Sequence, residues 1–214
     1  QSSGAEDLVL DDFDGDGSPD VVVLSDGFRD GFSFMPNSGT GTFSTGTFTN
    51  SVTGLRAVTS GDVNGDGRPD VIVLDATTIR VFENQGGTTP FFLAGAVITT
   101  GEFNGADVVA ADFNGDGNLD VAMADGSDST DVIVSFGDGT GNFGGALRFP
   151  TGLTFAFGGA SLVAADFTGD GRIDLAQYHD DFTTNIVSIL PNTTASTALV
   201  TVSLSAIATQ PVTV

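Results

Sequence analysis

Four stretches of this chain carry oxygen-bearing side chains at a spacing that suits a hard cation. They are Asp12-Phe13-Asp14-Gly15-Asp16-Gly17-Ser18-Pro19-Asp20, Asp62-Val63-Asn64-Gly65-Asp66-Gly67-Arg68-Pro69-Asp70, Asp112-Phe113-Asn114-Gly115-Asp116-Gly117-Asn118-Leu119-Asp120 and Asp166-Phe167-Thr168-Gly169-Asp170-Gly171-Arg172-Ile173-Asp174. Positions one, three, five and nine offer carboxylate, amide or hydroxyl oxygens, and positions four and six are always glycine. Calcium takes about 6–8 oxygens from such groups, from backbone carbonyls and from water. The expected ligands are therefore Asp12, Asp14, Asp16 and Asp20; Asp62, Asn64, Asp66 and Asp70; Asp112, Asn114, Asp116 and Asp120; and Asp166, Thr168, Asp170 and Asp174. The backbone carbonyl of position seven (Ser18, Arg68, Asn118 or Arg172) is expected to add one more oxygen.

Glycine at positions four and six lets the backbone wrap tightly, because it adopts left-handed dihedrals without a Cβ clash. Two carboxylates ~4 Å apart repel by about 4 kcal/mol at an effective dielectric of about 20, so three or four converging acids push the loop open unless a cation joins them. Asp-Gly-Asp-Gly stretches also form plain turns, but here an acid recurs at position nine in all four copies. Thr168 replaces the acid or amide of position three, which makes the fourth site the weakest. Magnesium is less suited, since a flexible all-oxygen loop does not impose octahedral geometry. An EF-hand is disfavoured: it needs Glu at position twelve and flanking helices, whereas Val23, Val73, Met123 and Gln177 stand there inside apolar runs.

The loops start at 12, 62, 112 and 166, spacings of 50, 50 and 54 residues, so the chain is an internal repeat. Each loop is preceded by a short apolar run (Leu8-Val9-Leu10, Leu55-Arg56-Ala57-Val58, Val108-Val109-Ala110, Leu162-Val163-Ala164). Each is followed by another (Val21–Leu24, Val71–Leu74, Val121–Ala124, Leu175–Tyr178). Short runs bounded by Gly and Asp predict buried strands, not helices. A third, alternating run follows (Phe32–Met35, Ile79–Phe82, Val132–Phe136, Ile186–Leu190), then a Gly, Asn and Thr turn such as Asn37–Phe43 or Gly137–Phe143. The fourth run is more polar (Gly46–Thr49, Ala94–Ile98, Ala146–Phe149, Leu199–Leu204). The expectation is all-β: four four-stranded antiparallel units over residues 1–205, at about 5–54, 55–104, 105–158 and 159–205. Glu102-Phe103-Asn104-Gly105-Ala106-Asp107 echoes a loop opening without the second glycine, and reads as a turn.

A four-strand unit repeated every ~50 residues is the pattern of a propeller blade. The units resemble the FG-GAP or VCBS repeats of integrin-type β-propellers, through the motif D-x-[DN]-x-D-G-x-x-D followed by an apolar strand, from about Leu8 to Leu204. The resemblance implies calcium in the loop between the first two strands of each blade, up to four ions in all. It also implies a secreted or cell-surface location and structural or adhesive duties. Such propellers commonly have about seven blades, so four units leave open a small closed ring, an arc completed by other copies, or part of a longer protein. Residues 206–214 add one apolar segment, read as a linker or as a strand that closes the ring or pairs with a neighbouring subunit. An extracellular filament subunit is one variant of this reading, and the expected partners are other protein subunits or surface glycans.

Composition agrees. Of 214 residues 40% are hydrophobic, enough to bury a core. Asp and Glu number 28 against six Lys and Arg, for a formal charge of -22 that excludes a phosphate-backbone partner. Thirteen of those carboxylates lie inside the four loops, and four divalent ions would bring the charge to -14. With no cysteine there is no disulfide, thiolate metal site or Cys nucleophile. No run approaches the ~18 apolar residues of a membrane span. The chain begins at Gln1 without a charged-then-apolar leader, which fits a removed signal peptide or a piece of a longer protein.

Little else points to catalysis. His179, the only histidine, is expected at the surface, and no G-x-S-x-G stretch occurs. The competing reading is a carbohydrate-binding or propeller portion of a polysaccharide-degrading enzyme, with Asp128/Asp131 and Asp180/Asp181 as its candidate acids. Asn192-Thr193-Thr194 is a glycosylation sequon.

Overall fold

A computed structural model describes residues 5–25, 31–50, 52–87, 92–101, 104–126, 131–150, 161–180 and 185–193. These form strands, turns and bends, with no helix among them. The first sheet contains β1 (Ala5–Asp11), β2 (Asp20–Ser25), β3 (Gly31–Met35) and β4 (Thr47–Asn50) in that order. The second contains β5 (Ala57–Gly61), β6 (Asp70–Leu74), β7 (Thr78–Asn84) and β8 (Phe92–Thr99). The third contains β9 (Gly105–Ala111), β10 (Asp120–Asp125), β11 (Val132–Ser135) and β12 (Leu147–Phe149). Among the described residues the fourth has three strands, β13 (Ser161–Ala165), β14 (Asp174–Asp180) and β15 (Asn185–Leu190). Every neighbouring pair is antiparallel. Leu199–Leu204 and residues 206–214 lie outside the described residues.

The second strand of each unit carries the core. Successive side chains of a strand point to opposite faces, and in β6 and β10 both faces are buried throughout. Val71 and Val73 meet the first sheet, in a cluster with Val22, Leu24, Phe32 and Phe34. Ile72 and Leu74 face the other way, joining Val108, Val121, Met123 and Ile133 of the third sheet. Ala122 and Ala124 then meet Leu162, Leu175 and Leu190 of the fourth. The four sheets are thus stacked in sequence order, each internal sheet sandwiched between its neighbours. Their first strands lie side by side, β1 against β5, β5 against β9 and β9 against β13. No comparable packing joins β13 to β1 among the described residues, so the succession is not closed there.

The first interface is aromatic. Phe13, Phe32, Phe34, Phe82 and Phe92 meet edge to face at ring centroid separations of 5.1–6.2 Å, each pair worth about 0.5–1.5 kcal/mol beyond area burial. Gly105–Asp107 corrects the sequence reading: these residues open β9, where Gly105 pairs with Asp125 across a register shift. Side-chain pairing explains the misreading. Asp107 is tied into the interface, its Oδ1 accepting from Val108 N and its Oδ2 from Leu162 N on β13, both at 2.8 Å. Its acid therefore belongs to a sheet junction, not to a turn.

Candidate metal centre

Each loop lies between the first and second strands of its sheet, so antiparallel pairing fixes both of its ends. The last pair of the first ladder is Asp11 with Asp20, and the equivalents are Gly61 with Asp70, Ala111 with Asp120 and Ala165 with Asp174. Position nine is therefore the first residue of the second strand, and its side chain is fully buried in all four units. The glycines at positions four and six have φ between 74° and 88°, a region closed to most side chains.

Two carboxylates organise the backbone between these ends. The position-one acid bridges both glycines: Asp12 accepts from Gly15 N and Gly17 N, each at 2.9 Å. Asp62, Asp112 and Asp166 accept from the corresponding amides at 2.6–2.8 Å. The position-nine acid accepts on Oδ2 from the amide of position two, Phe13, Val63, Phe113 or Phe167, at 2.9–3.1 Å. Its Oδ1 accepts from a residue at or just past the end of the third strand, Asn37, Asn84, Gly137 or Asn192, at 2.7–2.9 Å. Asp20, Asp70, Asp120 and Asp174 thus tie the loop to the first three strands of their own sheets.

The remaining donors differ between loops. In the first, carboxylate oxygens of Asp12, Asp14 and Asp20 lie within 4.8 Å of one another, forming a three-acid group that could hold a metal ion, the only such group among the described residues. Asp16 is not drawn into it; its Oδ1 accepts from Ser18 N at 2.8 Å. The second and third loops have Asn64 and Asn114 at position three, each accepting from the amide two residues on, Asp66 N at 3.0 Å and Asp116 N at 2.8 Å. Asn114 also donates from Nδ2 to Asp116 at 2.9 Å. Among the described residues Asn118, like Ser18, leaves its position-five acid without a cationic partner.

Arg68 and Arg172 do not. Arg68 donates to Asp66 Oδ2 at 2.5 Å and to Asn84 O at 2.8 Å. Arg172 pairs with Asp170 and donates to Asn192 O at 2.7 Å. In the second and fourth loops a guanidinium already neutralises part of the position-five charge. In the fourth, Asp166 and Thr168 are also exposed, where Asp12, Asp14, Asp62, Asn64, Asp112 and Asn114 are half-buried.

Burial without a counter-charge leaves its mark on these acids. Desolvation pushes Asp70 and Asp120 up from 3.8 to about 6, against the pull of their backbone N–H partners. Desolvation also raises Asp14, with repulsion from Asp20, Asp16 and Asp12 adding to it. A group of oxygen donors with buried, under-compensated negative charge fits a hard divalent cation, which would stabilise the ionised forms.

The strand-end residues were invisible as site residues in the sequence, although an alignment of the repeats places Asn37, Asn84 and Asn192 together. Asn192 is buried, and its Nδ2 donates to Phe113 O at 2.6 Å and Ile173 O at 3.3 Å. In the folded chain that nitrogen is committed to the sheet junction, which corrects the reading of Asn192 as a glycan acceptor. Asp131 is likewise structural, buried and paired with Arg148. Asp128 and Asp181 lie outside the described residues, as do the side chains of His179 and Asp180.

Comparison with known proteins places this repeat. No curated protein sequence is significantly similar to the chain. Among solved structures, a lectin of Agrocybe aegerita, described for specific recognition of non-reducing terminal N-acetylglucosamine, aligns with a TM-score of 0.57 and 23% identity. The alignment covers 84% of this chain and 47% of that one, so the chain spans about half of the lectin's length, and at this identity the likeness is one of fold. The model of the FG-GAP-like repeat matches residues 12–73, 62–123 and 112–176, each match beginning at a loop and running past the next. These overlapping matches take in most of the 214 residues, and the chain belongs to the FG-GAP-like repeat family.

Proposed function

We propose that the chain is a non-catalytic, calcium-stabilised β-propeller module, exported from the cell, whose blades support a binding or adhesive surface. The observation that carries this reading is the convergence of Asp12, Asp14 and Asp20 at the start of the second strand of a sheet that packs on the next one. Sheets of four antiparallel strands, stacked in order with their first strands side by side, are the arrangement from which propellers are built. Up to four calcium ions, one per loop, hold the first two strands of each blade in register. Their role is structural: the loop acids at positions one and nine are already held by backbone amides of the loop and of the third strand's end. Calcium loops of modest affinity fill where the ion is abundant, which favours an extracellular setting.

A site occupied at ~100 times its dissociation constant adds about 2.7 kcal/mol of stability. Thermal unfolding with calcium and with chelator is the test, and a midpoint that rises by several degrees with calcium is expected. Identical midpoints would remove the metal from the reading. The lectin of like fold makes glycans the first ligand class to try, in particular those ending in N-acetylglucosamine. Binding to a panel of immobilised glycans, with hydrolysis of the same panel measured in parallel, separates a binding module from the enzymatic alternative.

A further inference from the structure

The two ends of the stack carry the two halves of the interface that joins its sheets. At each internal junction the position-two side chain of one loop is buried against the next sheet: Phe13, Val63 and Phe113 are all under 4% exposed. Its carbonyl accepts a hydrogen bond from that next sheet. Phe13 O accepts from Asn84 Nδ2 at 2.8 Å, Val63 O from Gly141 N at 3.0 Å and Phe113 O from Asn192 Nδ2 at 2.6 Å. Gly137 stands where the other units have Asn, and the Gly141 amide replaces the missing side chain. Three junctions, two chemistries, one acceptor: the contact is a constant of the repeat.

At the fourth loop the same residue meets no further sheet among the described residues. Phe167 is 46% exposed, Val163 and Tyr178 beside it on the sheet are also exposed, and no donor reaches the Phe167 carbonyl among the described residues. The first sheet presents the complement. The face that sheets two to four turn toward their predecessors is buried: Val58, Val71 and Val73; Val108, Val121 and Met123; Leu162, Leu175 and Gln177. In the first sheet the same positions are Leu8, 53% exposed, and the half-exposed Val21 and Val23. Asn37 Nδ2 donates to Pro19 O at 3.0 Å, as Asn84 does to Pro69 O and Asn192 to Ile173 O. It is placed to make the further, junction-crossing bond that those two make.

We propose that the fourth sheet of one copy docks on the first sheet of a second copy, so that Phe167 and the Asn37 amide rebuild the internal junction between chains. The occupant is a second copy because this chain itself displays the complementary face, and among the described residues its own fourth sheet does not cover it. The contact is heterologous, head to tail, and so propagates into a ring or a filament.

The test uses the calcium-loaded full chain at moderate ionic strength, with Leu8→Asp and Phe167→Asp as separate variants. Sedimentation should show concentration-dependent association of the wild-type chain, weakened at least ~100-fold in either variant by burial of a carboxylate. Each variant keeps one intact face, and the two intact faces are opposite ones. An equimolar mixture of the variants should therefore recover a one-to-one dimer that grows no further. Circular dichroism spectra matching the wild type establish that each variant is folded; should either fail to fold, Leu8→Lys and Phe167→Lys serve in its place. A monomeric wild-type chain at high concentration overturns the proposal, as does association unchanged in the variants. A mixture that stays monomeric overturns the head-to-tail arrangement. A monomeric wild type whose melting point falls in both variants shows instead that one chain closes on itself.

Discussion

Asn84 donates its side-chain Nδ2 to the carbonyl of Phe13, 71 residues earlier in the chain, at 2.8 Å. The same amide nitrogen reaches Pro69 O at 3.2 Å, while the Asn84 backbone N–H holds Asp70 and its Oδ1 accepts from Gly86 N. One residue thus joins the sheet junction, the acidic loop and the following turn. Replacing it by Ala keeps the backbone bond to Asp70 but strands the buried Phe13 carbonyl. The expected cost is about 1–3 kcal/mol, read as a lower denaturation midpoint with an unchanged m-value.

The four loops are not equivalent as candidate cation sites. Arg68 places a guanidinium on Asp66, where Ser18 and Asn118 place none on Asp16 and Asp116. Arg68→Ser should raise calcium affinity at the second site about fivefold, a difference of about 1 kcal/mol, the scale of one charge interaction near a surface. Calorimetric titration of the variant checks it. The metal-free chain should lose some stability at the same time, since Arg68 also donates to Asn84 O.

The fourth site combines three handicaps: Thr168 at position three, Arg172 paired with Asp170, and exposure of Asp166. Asp170→Ala should therefore change calcium-dependent stabilisation less than Asp116→Ala does. Melting curves over a calcium titration measure the two, and equal losses would place the fourth site on a par with the third.

The loops and most strands were legible in the sequence because both are local. A glycine pair at fixed offset from four oxygens, and an apolar run of period two, are complete within a dozen residues. The junctions were not legible for the same reason. Asn84 meets Phe13 and Asn192 meets Phe113 across separations of 71 and 79 residues, with no periodicity to announce them. Asn192 accordingly read as a glycosylation signal, and Asp107, which binds Leu162 N on the next sheet, read as part of a turn. The position-five acids were expected to turn inward with the others, but Asp16 stays outside the Asp12, Asp14 and Asp20 group.

Metal-free stability should depend on pH through Asp70 and Asp120. Burial raises both to about 6 in the folded chain, above the ordinary 3.8. The fold then binds more protons than the unfolded chain between those values, so the contribution is fully present below pH 3.8 and is lost as pH rises through about 6. Asp166 opposes this: the Gly171 N–H, the leading cause, lowers its carboxyl, a contribution lost on acidification below the ordinary range. Calcium should flatten or invert the dependence, because the ion replaces the proton as the partner of Asp70 and Asp120. Urea unfolding across this range, with chelator and with calcium, reads both effects. Asp70→Asn keeps one acceptor oxygen but sets an amide NH2 against the Val63 or Asn84 N–H. It should therefore remove the Asp70 share of the slope in chelator, lower metal-free stability, and abolish the gain from calcium at the second site.

Gln177 is a polar residue at a core position of the third junction. It is fully buried, as is Ser188 opposite it on β15, and neither Gln177 Nε2, Gln177 Oε1 nor Ser188 Oγ has a hydrogen-bond partner among the described residues. The equivalent positions hold Val23, Val73 and Met123, the last two fully buried and apolar. An unsatisfied buried amide costs about 1–3 kcal/mol, and Met fills nearly the same volume with a flexible apolar chain. Gln177→Met should therefore stabilise the chain by about 1–2 kcal/mol, seen as a higher denaturation midpoint in calcium and in chelator alike. Equal or lower stability would mean that ordered water satisfies the pair, and Ser188→Ala, which removes one of the two polar partners without adding volume, would then be destabilising instead of neutral.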